Sequence, residues 1–353
     1  MGSIIVGTGI DVPDEVFTND DLARIMDTSD EWIRRRTGVR ERRFAPPGVG
    51  ASDLGAAAGH AAIRDAGIHP AEIDVVITAT MTPDSLAPGI ASLVQDKLGL
   101  STVAAYDIRQ QCSGFLYGME LADALLCSGK AETALVIGAE AHAGFLPFGD
   151  TWAYVRGESD VPPTDEQRDH NTKYRGWAVL FGDGAGACVM RRGATEDEGM
   201  LAARLRTDGS LFDLIHIPGV GFRNHPYIDQ AQLDEELHMP SMRGRELFRH
   251  AVTLMPEAIL GVAEDAKVEP GDIDLVIAHQ ANVRIVEGVR RALGFGEDAV
   301  PVNIDRYGNT TAATLPILFH EQRALGRVGP GTMVCFTAFG AGAHWGAALY
   351  REP

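Results

Sequence analysis

Two stretches of this chain repeat one pattern of apolar and polar positions: Glu72-Ile73-Asp74-Val75-Val76-Ile77-Thr78-Ala79 is echoed by Asp272-Ile273-Asp274-Leu275-Val276-Ile277-Ala278-His279. Each is a short apolar run, rich in β-branched residues and led in by acids, the pattern of a buried strand. Helix-periodic stretches precede them, at 54–66 and 246–263, and others follow, ending at Leu98-Gly99 and Leu293-Gly294, where glycine stops a helix. Further on, residues 105–108 lead toward Cys112 and residues 302–305 toward Asn309, and another apolar strand comes next in each half, at 134–138 and 333–338. The shared order predicts a duplicated α/β unit, with mostly parallel or mixed sheets covered by helices and ligands at the carboxyl ends of strands. The halves are expected at 1–177, carrying Cys112, and 178–353, carrying His279 and Asn309.

Residues 143–176 break the pattern. Trp152, Tyr154 and Tyr174, with Trp177 just beyond, are mixed there with a Gly-, Pro- and acid-rich stretch. Such an excursion is either a tolerated surface loop or a lid over a pocket.

Composition narrows the function. With 45% hydrophobic and 23% charged residues, the chain forms a packed core. A net charge of -18, from 31 Lys plus Arg against 49 Asp plus Glu, opposes an extended nucleic-acid surface. Charges or glycines interrupt every apolar run before about 18 residues and the start lacks an export pattern, so no membrane span is expected and the cytoplasm is the expected compartment. The cysteines at 112, 127, 188 and 335 form no C-x-x-C pair, which predicts reduced thiols with neither a metal site nor a disulfide framework.

Cys112 is placed at the start of a helix whose apolar face is Phe115, Met119, Ala122 and Leu126. Unpaired N–H groups and the positive dipole end there favour thiolate, lowering a pKa otherwise about 8.5. That is the setting of a nucleophile, whereas Cys127, Cys188 and Cys335 read as structural. His279 closes the second echoed strand, so its imidazole emerges at the sheet edge, able to donate to a thioester oxygen or shuttle protons. Asn309 lies in a turn entering a helix. There it is a cap or, at the point of the repeat that Cys112 occupies in the first half, a donor to a developing oxyanion or enolate. The glycine-rich run 339–346 brings backbone close to a ligand and offers an N–H, at Ala341, beside that of Cys112.

Together these residues resemble β-ketoacyl-acyl carrier protein synthase III, a thiolase-fold condensing enzyme. The likeness runs nearly end to end, through Asp30-Glu31-Trp32-Ile33 and Arg36-Thr37-Gly38-Val39-Arg40-Glu41-Arg42, Cys112-Ser113-Gly114-Phe115, Phe181-Gly182-Asp183-Gly184-Ala185-Gly186-Ala187, His279-Gln280-Ala281-Asn282, Gly308-Asn309-Thr310 and Ala338-Phe339-Gly340. It implies a layered αβαβα fold of five-stranded sheets and a homodimer with no resident cofactor. It also implies acylation of Cys112 by an acyl-CoA, with His279 and Asn309 holding a malonyl thioester, on acyl carrier protein or CoA, as carbon dioxide leaves. By the same matching Trp32 and Arg36 meet the nucleotide end of CoA, Phe248 and Asn282 line the pantetheine tunnel, and Arg249 and Arg284 dock an acidic carrier protein. The chain departs from the family in its longer 143–176 excursion, in Ala341 at the middle of the glycine turn, and in Ala343 and His344 after it. Acyl transfer without decarboxylation keeps the same triad, a non-catalytic partner subunit would dispense with the nucleophile, and a thiolase proper would need a second cysteine in the glycine turn. Acyl length and the choice between fatty-acid and specialised metabolism stay open.

Overall fold

The two echoed runs form strands, Val75–Ala79 and Leu275–Ala278, buried at every position, as strands covered on both faces must be. The chain is described by a computed structural model over residues 2–353. The first strand lies in a five-stranded sheet ordered Ser3–Asp11, Gly184–Arg192, Thr133–Glu140, Val75–Ala79, Ala104–Ile108. Its last three strands are mutually parallel and the other two pairings antiparallel. The second sheet runs Leu275–Ala278, Met333–Gly340, His344–Arg351, Gly199–Thr207, with only the first pairing parallel.

The second sheet has four strands among the described residues, not five. Its missing edge was expected at 302–305, where the chain instead turns into a short helix, Ile304–Tyr307. Glu321 explains this: its carboxylate accepts from Asn303 Nδ2 at 3.0 Å, from Arg306 at 2.8 and 3.0 Å and from the Tyr307 hydroxyl at 2.9 Å. These bonds draw the segment onto the helix Thr314–Ala324, and a single ladder-like bond persists, Val276 N–H donating to the Ala299 carbonyl at 2.7 Å. The changeover between halves also falls later than 177, because Gly184–Arg192 belongs to the first sheet and the next strand, Gly199–Thr207, to the second.

Helices Gly114–Cys127 and Thr314–Ala324 lie between the sheets: Phe115, Leu116, Met119, Leu315, Leu318 and Phe319 share one core with Ile77 and Val136 of the first sheet and Ile277 and Phe336 of the second. Ala51–Asp65 and Ala91–Lys97 cover the outside of the first sheet, and Gly244–Ala266 and Val283–Leu293 that of the second, completing the αβαβα layering. Close approach at the centre needs glycine. A Cβ on Gly118 would lie 2.9 Å from the Val136 side chain, and one on Gly186 2.8 Å from Pro316, so the Gly-Asp-Gly-Ala-Gly run is a packing device. Phe319 and Phe336 meet at 5.0 Å in the central layer, where truncation to alanine costs about 3–5 kcal/mol.

The duplication keeps a constant register of two hundred residues. The 3-10 turns Pro70–Glu72 and Pro270–Asp272 correspond, as do Gln111–Ser113 and Thr311–Ala313. The aspartates of the echo do matching work: Asp74 Oδ2 accepts from Thr133 N–H at 2.9 Å and Asp274 Oδ2 from Met333 N–H at 2.8 Å. Each pins the start of the neighbouring strand. None of the described helices is long and apolar enough to cross a membrane.

Candidate active site

A cavity of about 710 Å³ opens where the carboxyl ends of both sheets meet, and Cys112, His279 and Asn309 all line it. Cys112 lies in the 3-10 turn Gln111–Ser113 that feeds the helix Gly114–Cys127. Its thiol is not lowered as the helix start led us to expect. Burial pushes it up to about 12, the Glu140 carboxylate adds to the rise, and the local backbone N–H only partly opposes them. Gly340, at the end of its strand, lies directly against this turn: a Cβ there would stand 3.1 Å from Cys112 N and 3.0 Å from Ser113 N. A side chain at 340 would therefore crowd the N–H of Cys112, which glycine leaves clear. Ala341 follows on the cavity wall.

His279 is 2% exposed, and its own N–H donates to the Thr337 carbonyl at 2.9 Å. Both ring nitrogens are buried without a hydrogen-bond partner, an arrangement that calls for an outside group. Burial lowers its pKa to about 3, so the ring is neutral throughout the working range. Asn309 is bridged to Phe181, with its N–H donating to Leu180 at 2.7 Å and its carbonyl accepting from Gly182. Its Oδ1 accepts from Thr311 N–H at 2.9 Å, which leaves Nδ2 as the donor toward the cavity. The repeat places it differently from the sequence expectation: Cys112 corresponds to Ala312, and Asn309 to Arg109.

Glu140, at the end of the strand Thr133–Glu140, was not singled out from the sequence. Fully buried, it accepts from the Thr80 hydroxyl at 3.2 Å, the Thr82 hydroxyl at 2.7 Å, and the N–H groups of Met81 at 3.1 Å and Ala312 at 3.4 Å. It ties the Met81 loop to the turn after Asn309.

At the mouth, the Trp32 ring has the Arg36 guanidinium 4.2 Å away and that of Arg175 4.8 Å away. Arg175 comes from the 143–176 excursion, whose Phe145 and Gly176, with the adjoining Trp177, also line the cavity. The excursion is thus a wall of the site. Phe248, Asn282 and Arg284 line the same cavity, with Arg284 5.5 Å from the Phe248 ring. Asn282 has structural work as well: Oδ1 caps the helix Val283–Leu293 at Arg284 N–H, 2.9 Å, and Nδ2 donates to the Arg36 carbonyl at 2.8 Å. Arg249 is exposed on the helix Gly244–Ala266 and lies outside the lining. Among the described residues no group of His, Cys, Asp or Glu is arranged to hold a metal ion.

Sequence profiles of known families match this chain: that of 3-oxoacyl-[acyl-carrier-protein (ACP)] synthase III over residues 106–155 and 166–209, and that of its C-terminal part over residues 263–352. Beta-ketoacyl-[acyl-carrier-protein] synthase III of Clostridium acetobutylicum is 38% identical over 352 residues, 99% of each chain. The Aquifex aeolicus protein of the same name is 40% identical, covering 99% of this chain and 100% of its own. A crystal structure of 3-oxoacyl-[acyl-carrier-protein] synthase III from Aquifex aeolicus superposes with a TM-score of 0.84 at 40% identity, over 99% of this chain and 100% of that one.

Proposed function

The chain belongs to the 3-oxoacyl-[acyl-carrier-protein] synthase III family and is a condensing acyltransferase, and from that premise we propose how its own residues carry the reaction. Cys112 Sγ attacks the carbonyl of an acyl-CoA. The oxyanion is received by the N–H groups of Cys112 and Ala341, and the departing CoA sulfur takes the thiol proton. Burial disfavours a free thiolate at rest, so the proton leaves as the C–S bond forms. A malonyl thioester, on acyl carrier protein, then enters the vacated tunnel. His279 and Asn309 Nδ2 donate to its thioester oxygen as the bond to the carboxylate breaks. Carbon dioxide leaves, and the enolate carbon attacks the acyl carbonyl on Cys112, expelling the sulfur and releasing a β-ketoacyl product.

The observation that carries this reading is the pair of buried, unpartnered nitrogens on His279 in the cavity that Cys112 and Asn309 also line. A neutral imidazole suits an enolate, which needs a donor and no strong base. Trp32 with Arg36 and Arg175 would hold the nucleotide of CoA, Phe248 and Asn282 the pantetheine, and Arg249 and Arg284 the acidic carrier. No cofactor is assigned beyond the substrates. A homodimer is supported by the sheet-edge strand Ala104–Ile108, exposed at four of five positions, since an open edge is ordinarily covered. The cytosol suits an enzyme of CoA thioesters whose cysteines form no disulfide among the described residues.

The test is intact mass of the protein and of Cys112→Ala after incubation with acyl-CoAs of graded length, before and after addition of malonyl-acyl carrier protein. An acyl mass that needs Cys112 and is discharged into a longer β-keto product is expected. An acyl mass that malonyl donors never discharge would place the chain among simple acyl transferases.

A further inference from the structure

Several polar residues of the cavity lining have no part in the condensation. The lining contains no Asp or Glu, in a chain with 49 acids against 31 basic residues, and three arginines. Two of them, Arg36 and Arg284, stand at the mouth against the rings of Trp32 and Phe248. The third, Arg109, is three residues before Cys112 and follows the open edge strand Ala104–Ile108; it is exposed in the single chain, where its guanidinium has no ion pair, hydrogen bond or ring contact among the described residues. Gln111 beside it is held at φ 51°, a left-handed conformation that glutamine rarely adopts, with Nε2 donating to the Arg109 carbonyl at 3.1 Å. His344, one of the departures from the family pattern, also lines the cavity. Its Nδ1 shares a hydrogen bond with Thr207 Oγ1 at 2.9 Å. Its Cδ2–Nε2 edge fills the space a Cβ on Gly342 would take, 2.3 Å away. Ser113 Oγ donates to the His344 carbonyl at 2.9 Å, fixing this turn against the one that carries Cys112.

The duplication adds an independent reason. Arg109 is two residues before the turn Gln111–Ser113, as Asn309 is two residues before Thr311–Ala313, so it occupies the position from which the second half sends a catalytic amide into the cavity.

We infer that the acyl donor carries an anionic group, a carboxylate, at its far end, and that Arg109, with Gln111 and His344, receives it. The inference rests on the reading that Cys112 is the acylated residue. Two other anions enter: the CoA phosphates, which the proposed function gives to Arg36 and Arg175 at the mouth, and the malonyl carboxylate, on which a cation would stabilise the ground state and oppose loss of carbon dioxide. The cation therefore serves the first substrate.

The experiment pairs acyl-CoAs of equal carbon count, succinyl- with butyryl-CoA and glutaryl- with valeryl-CoA, and follows loading of Cys112 in the full chain by intact mass. The carboxylated member of each pair is expected to load at least about tenfold faster, the scale of one charge-assisted hydrogen bond. Arg109→Met is expected to bring the ratio near one and Arg109→Lys to recover part of it. Equal loading by the wild type, or a ratio unmoved in Arg109→Met, overturns the inference. If none of the four labels Cys112, the acylation reading fails. The inference is then decided by calorimetry on Cys112→Ala: tighter binding of the carboxylated members, lost on adding Arg109→Met, sustains the anion site, and equal affinities reject it.

Discussion

Glu140 is buried with no Lys or Arg paired to it among the described residues; hydroxyl and N–H donors surround it, and its charge helps raise the pKa of the nearby His142 ring. After burial itself, its charge is the second cause of the high thiol pKa of Cys112. Removing that charge lets the thiolate form more readily, so Glu140→Gln is expected to alkylate several-fold faster with iodoacetamide at pH 8, read by mass at Cys112. An unchanged rate in a variant of normal fold would show that the two groups do not communicate. Cys112, His279 and Asn309 were legible because each stands where a strand or turn gives way to a helix, and local sequence marks such places. The direction of the Cys112 shift was not legible. Helix-start chemistry pointed down, whereas burial and a carboxylate from a strand end 28 positions further on point up, and only the folded chain brings these together.

Elements tell a similar story. The strands and covering helices of both halves follow from their apolar periodicity, which is local, while the fate of 302–305 is decided by Glu321 on the next helix and leaves no mark in the segment itself. The excursion could be placed but not assigned a role, because its role depends on partners elsewhere. Its helix Asp165–Ala178 opens with a capping box, Thr164 against Gln167, and delivers Arg175 to the face of Trp32. A guanidinium over an indole contributes about 1 kcal/mol when partly exposed, so Arg175→Ala is expected to raise KM for acyl-CoA roughly fivefold and leave kcat near its original value. A fall in kcat at unchanged KM would remove the excursion from CoA binding.

At the scale of the whole molecule, the neutral His279 links stability to pH. Its folded pKa of about 3 is below the ordinary 6.5, so below pH 6.5 the unfolded chain takes up a proton that the native chain refuses. This contribution is therefore intact above pH 6.5 and is lost progressively as pH falls toward about 3. Between pH 7 and 5 the wild type should lose roughly 2 kcal/mol more than His279→Gln in urea unfolding, and parallel losses would mean the ring is protonated in the native state. The duplication has its own consequence at this scale. Glu140 and Gly340 are equivalent strand ends, each meeting a 3-10 turn: Glu140 meets Ala312 N–H, and Gly340 lies against Cys112 N–H. In the proposed reaction one cradle is left bare for a negative charge that exists only while a bond is changing hands. Its twin is filled for good by the protein's own anion, a standing internal replica of the intermediate, set against the turn that carries no nucleophile.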